Sequence, residues 1–176
     1  MKGFEMRQKR QRLCTEFVGL LLGACFSSSV AIADEVLDSR GQTVYVPVYS
    51  EILYRNLDSQ GKPSTLLMSS MVSIRNTDPD HSIAVRSVRY YGSDGRLVRD
   101  DSDRARTLGP LASMEVFVEF KDTSGGTGAS FLVVWDAEAP VNPPLIESVN
   151  VNYTGTALAA FTSRGRPLLS KVQPPH

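Results

Sequence analysis

Asp78, Asp80 and His81 place two carboxylates and an imidazole within four residues, the densest set of metal-binding side-chain types in the chain. Such groups hold a divalent cation, or let a carboxylate orient an imidazole base, so these three are the candidate metal site. Asp100, Asp101 and Asp103 repeat the carboxylates without the imidazole. Calcium takes six or more oxygens and zinc three or four converging ligands, which neither group supplies alone. Turn chemistry competes as an explanation, because Asn76-Thr-Asp-Pro-Asp-His81 is dense in residues that reverse a chain.

A second candidate is the run Asp122-Thr-Ser-Gly-Gly-Thr-Gly128. Consecutive backbone amides in glycine-rich loops point at anions. Yet no Gly-Lys-Ser/Thr ending follows, and the next residues, Phe131 to Trp135, read as a strand and not as a helix. The run is therefore expected to be a wide loop held by glycines, entering a central strand covered on both faces. In a softer version Asp122, Ser124, Gly125, Gly126, Thr127 and Gly128 form a ligand or partner edge at one end of the fold.

Nucleophilic catalysis is poorly equipped. Cys14 and Cys25, the only cysteines, lie near the N-terminus, and His81 and His176 are the only imidazoles. No Gly-x-Ser-x-Gly elbow presents a serine. Glu115 and Glu119 sit on one strand face about 13 Å apart by strand rise, too far for a usual glycosidase pair. The arginines from Arg86 to Arg106 are interleaved with aspartates, which suggests surface ion pairs. Tyr45, Tyr49, Tyr54, Tyr90 and Tyr91 suit either an interface or a sandwich core. No cofactor is expected.

The elements that must carry these residues begin after a leader. A basic segment to Arg12, a mostly apolar stretch Leu13 to Phe26 and small residues ending in Ala31-Ile-Ala33 have the three-part layout of an export signal. The expected signal peptide is 1–33, leaving Asp34 first, and the exported part is periplasmic or secreted. Leu22-Gly-Ala-Cys25 offers a rival, a lipobox in which Cys25 is lipidated and a membrane lipoprotein results. The chain has 176 residues and no formal net charge, but 14 basic and 17 acidic residues follow Ala33, so nucleic acid is not an expected partner. Membrane association is expected only through that anchor. Either way the exported part lacks a cysteine pair and rests on core burial.

Residues 34–42 read as a linker, 43–166 as one domain and 167–176 as a loose tail. Within the domain apolar residues recur with period two. Thr43 to Ser50 is a strand whose Pro47 argues for an edge. Leu66 to Asn76 and Ile83 to Tyr91 follow, the latter with a parity shift that implies a bulge near Arg86. Gly92-Ser-Asp-Gly95 is a hairpin turn, and Met114, Val116, Val118 and Phe120 face one way while Ser113, Glu115, Phe117, Glu119 and Lys121 face the other. Asp136 to Pro144 is read as a connection because of its three prolines. Ile146 to Thr154 sets Val149, Val151 and Tyr153 against Asn150 and Asn152, and Ala157 to Thr162 is a last strand or a helical turn. The sum is an all-β fold, an antiparallel immunoglobulin-like β-sandwich of about seven or eight strands.

Tyr45-Val-Pro-Val-Tyr-Ser50, Ser73-Ile-Arg-Asn-Thr-Asp78, Tyr90-Tyr-Gly-Ser-Asp-Gly95 and Ser124-Gly-Gly-Thr-Gly-Ala-Ser-Phe131 before Trp135 resemble the signature blocks of a bacterial exported family, domain of unknown function 3124. Pro144 to Glu147 and Phe161 to Gly165 fit it too. The resemblance spans roughly Val44 to Arg166 and implies an exported or lipid-anchored protein. It implies no catalytic residue. The expected role is a non-catalytic binding module whose partner is an envelope protein or component. The alternative is a small metal-dependent or hydrolytic enzyme centred on His81 and its neighbouring aspartates.

Overall fold

The computed structural model describes residues 38–104 and 106–169; the leader with Cys25, and His176, lie outside them. In chain order the strands are β1 (Ser39–Pro47), β2 (Glu51–Tyr54), β3 (Ser64–Leu67), β4 (Ser69–Arg75), β5 (Ile83–Tyr91), β6 (Leu97–Asp100), β7 (Thr107–Leu108), β8 (Ser113–Val118), β9 (Ser130–Val141), β10 (Leu145–Tyr153), β11 (Leu158–Arg164) and β12 (Arg166–Pro167). One sheet runs β12-β1-β9-β5-β6, with β7 also pairing β5; the other runs β11-β10-β4-β8. Every pairing is antiparallel, and β2 and β3 form a separate hairpin. The core lies between the two sheets, where Val46, Val88, Phe131, Val133 and Trp135 from the first meet Val72, Ile74, Met114 and Val116 from the second. This is an antiparallel β-sandwich.

Alternation sets most of these faces. In β8 Met114, Val116 and Val118 are buried while Ser113, Glu115 and Phe117 are exposed. The register of β5 against β9 slips between Val85 and Ser87, so Arg86 is the bulge that carries the apolar parity from Ile83 and Val85 to Val88 and Tyr90. β9 is central, between β1 and β5. Its inward set, Phe131, Val133 and Trp135, is buried, but Leu132 and Val134 on the outer face are only half-buried, so the cover is one-sided. Trp135, the chain's single tryptophan, is 1% exposed, and its Nε1 has no hydrogen-bond partner among the described residues.

Several boundaries differ from the expectation. β9 continues through Pro140 to Val141, where a connection was predicted. The proline is tolerated because the β1 partner jumps from Asp136 to Val141, leaving Pro140 without a rung. β1 is not an edge: two residues of β12 cover it, Val44 opposite Pro167 and Tyr45 opposite Arg166, and Leu168 N donates to Thr43 O. The start of the predicted tail is thereby tied down, and β1 begins at Ser39, inside the predicted linker. Residues 157–162 belong to a strand, β11.

β10 turns its polar parity inward. Ser148, Asn150 and Asn152 face the interior, while Val149 and Val151 are half-buried outside and Tyr153 is 69% exposed. The cause is the chain near Pro47–Ser50, which leaves the ladder and has backbone groups to satisfy. Ser148 Oγ donates to Pro47 O, Asn150 Oδ1 accepts from Tyr49 N and from Ser70 Oγ, and Asn152 Nδ2 donates to Leu67 O. Asn150 Nδ2 in turn donates to Ser148 Oγ. A buried amide that meets its partners is tolerated in a core; an unpaired backbone group would not be.

Candidate functional site

The glycine run connects β8 of one sheet to β9 of the other. It starts with Asp122 N donating to Glu119 O; Ser124 N and Ser124 Oγ then both donate to Asp122 Oδ1. Gly126 N donates to Thr123 O, and a single 3-10 turn spans Gly126–Gly128. Gly126 takes φ +68°, the left-handed region that favours glycine. Gly125 is needed for space instead: a Cβ there would lie 1.9 Å from Tyr90 Oη and 2.6 Å from Ala129 Cβ.

Ser93, in the turn between β5 and β6, fastens this loop. Its N and its Oγ both donate to Gly125 O, at 2.9 and 2.8 Å, and its Oγ accepts from Gly128 N at 2.7 Å. Ser50 N donates to Gly126 O, and Ser50 Oγ lies 2.8 Å from the buried Tyr90 Oη. Tyr90 stacks on Phe131 with centroids 4.8 Å apart. Burial, the largest influence on it, pushes the Tyr90 phenol above its ordinary value, so it stays protonated. Arg99 closes the other side: Nε meets Asp101 Oδ2 at 2.7 Å, Nη1 lies 3.8 Å from Asp122 Oδ2, and Nη2 donates to Phe117 O. The amides of Ser124, Gly126 and Gly128 are thus all spent within the protein, which is the opposite of an anion cradle.

Beside the loop lies a depression of about 290 Å³ on the outer face of the β12-β1-β9-β5-β6 sheet. Tyr45, Tyr91 and Leu132 form its apolar walls, and Gly92, Ser93, Gly95 and Gly128 its rim. Of the predicted loop residues only Gly128 reaches it. Asp122 and Ser124 fix the loop's base, Gly125 packs on the core, Gly126 turns the chain, and Thr127 is exposed. Ser50, Ser93 and the Tyr45–Leu132 pair were not singled out as site residues. The Tyr-rich composition and the hairpin turn were visible, but nothing local says which turn meets which loop.

Asp78 and His81 form the other constellation. Asp78 Oδ1 accepts from Asp80 N, His81 N and His81 Nδ1, and Oδ2 accepts from Asn142 N. These bonds, the Asp80 amide foremost and against an opposing effect of burial, lower the Asp78 pKa from 3.8 to about 2. The carboxylate is a staple between turns. His81 and Asp80 border a cavity of about 480 Å³ together with Thr107, Glu138 and the Arg86–Asp136 ion pair. Among the described residues no three His, Cys, Asp or Glu side chains converge as a metal would require.

Fold and site together define an all-β sandwich domain with a hydrogen-bonded loop end. Residues 41–168 match the family model described as Protein of unknown function (DUF3124), and the chain belongs to that family. Among solved structures it is similar to the crystal structure of Thermotoga maritima 1070, at 11% identity, over 71% of this chain and 92% of that one, with a TM-score of 0.40. No curated protein matches.

Proposed function

We propose that the chain is an exported, non-catalytic module that binds a component of the bacterial cell envelope through the Tyr45–Tyr91–Leu132 depression. The observation that supports this most is the loop end's preorganisation. Ser93 and Ser50 hold the glycine loop before any partner arrives, so binding need not order it. A site of about 290 Å³ is small for a free ligand and fits one aromatic or branched side chain of an extended segment. Aromatic walls that a partner's side chain would cover are where binding energy concentrates. The test is recovery of a saturable partner from envelope extract by the wild-type chain and its loss with Tyr45→Ser and Leu132→Ser; equal recovery by all three would refute the site.

Export itself belongs to this reading, and the leader's layout supports it. Mass spectrometry of the mature N-terminus should find either Asp34 free or a diacylglyceryl group on Cys25, while an intact leader on mature protein would contradict both. A second reading is an enzyme at the His81 cavity, favoured by the buried Asp78 that orients the imidazole. Stoichiometric metal in purified protein, lost in His81→Ala, would support it over the binding module.

A further inference from the structure

We propose that β11 is a self-pairing edge through which two copies of the chain join their four-stranded sheets into one sheet of eight. Among the described residues the two sheets have four terminal strands, and three are guarded. β12 is two residues long and contains Pro167. β6 spans four residues, of which Arg99 and Asp100 are charged and ion-paired. β8 carries the exposed charge of Glu115 and has its Phe117 carbonyl occupied by Arg99. β11 is seven residues long, Leu-Ala-Ala-Phe-Thr-Ser-Arg, with no proline and a single charge at its end. Long unguarded edges are where strands add.

The ladder says which groups are free. Gly165 N donates to Ile146 O at 2.8 Å, and the register pairs Glu147 with Arg164. Antiparallel alternation then turns the amides of Ala159, Phe161 and Ser163 toward β10, and those of Leu158, Ala160, Thr162 and Arg164 away from it. No described backbone group meets the latter set. A second copy of β11, running antiparallel about a two-fold axis at Phe161, places Ala160 opposite Thr162 and Leu158 opposite Arg164 of the other copy. Each outward amide then faces an outward carbonyl, and no like charges stand opposed. The two-fold axis meets all four outward amides of each copy at once and sets the strand's one charge, Arg164, against Leu158, so the same patch serves both copies, as an isologous interface requires.

The outer face agrees. Val149, Val151 and Tyr153 of β10 point outward, Tyr153 is paired with Leu158, and these two are 69% and 67% exposed. Met71 and Phe117 lie level with Val149, so the apolar surface runs across the sheet up to the β11 edge.

Sedimentation and amide exchange of the full chain over a concentration series test the proposal. Apparent mass should rise twofold, and the amides of Leu158, Ala160 and Thr162 should slow with concentration while those of Ala159, Phe161 and Ser163 are protected throughout. Ala160→Lys with Thr162→Lys puts four ammonium groups around the axis and should keep the chain monomeric; Ala160→Pro removes one outward donor and should do the same. A constant monomer mass, or a dimer indifferent to the lysine pair, would overturn the proposal. Protection of the Leu158, Ala160 and Thr162 amides only on adding envelope extract would overturn it too, by assigning the edge to a foreign strand.

Discussion

A Cβ on Gly125 would stand 1.9 Å from Tyr90 Oη, yet Gly125 itself sits at φ −82°, where alanine is comfortable. Any loss in Gly125→Ala is therefore steric, and overpacking of this kind costs about 1–3 kcal/mol. Gly95 is the mirror case, with nothing within 4 Å of a Cβ but φ +78°. Gly95→Ala should lose about 1–2 kcal/mol from backbone conformation alone. Urea unfolding of the two variants separates the causes, because adding Tyr90→Phe should relieve part of the first loss and none of the second. Asp78 acts on a different variable. Its folded pKa of about 2 lies below the ordinary 3.8, so its stabilisation is complete above the ordinary value and is lost as pH falls toward 2. Wild-type stability should fall across that interval, and Asp78→Asn should flatten the fall.

At the scale of the element, β10 decides whether polarity or pairing sets a face. Asn150 is fully buried, and Asn150→Ala would strip the Tyr49 amide of its acceptor and leave the Ser70 hydroxyl only Tyr49 O to donate to. A cost of about 2–3 kcal/mol is expected, and Ser70→Ala added to it should cost less than the sum, since the two share one bond. The same strand shows why part of the fold was legible and part was not. Period two located β8, β10 and the Arg86 bulge, because apolar residues on alternate positions need no knowledge of the rest of the chain. Which parity of β10 turns inward depended on backbone groups at Pro47, Tyr49 and Leu67, 80 or more residues away, and no local pattern carries that. Pro140 misled for a similar reason: a proline excludes a ladder rung, and only the register reveals that β9 has none there. The glycine run was legible as a loop, while its anchor Ser93 belongs to another turn that the fold brings alongside.

For the molecule as a whole, stability rests on the sandwich core, since no described residue is a cysteine. Thermal unfolding should accordingly be unchanged by a thiol reductant, and a fall in midpoint would point to a cross-link through Cys14 or Cys25. The bonds from Ser93 and Ser50 join the β5–β6 turn, the β1–β2 segment and the β8–β9 loop, which lets the loop end behave as part of the core. Loss of Ser93 Oγ in Ser93→Ala should cost about 1–2 kcal/mol and also weaken partner capture, whereas Tyr45→Ser should weaken capture alone. Trp135 gives all of this a natural gauge. A solitary indole sealed in the central strand fluoresces from an oil-like setting while the sheets are closed and from water once they part. The protein thus carries its own optical reporter, able to follow every variant above without a label.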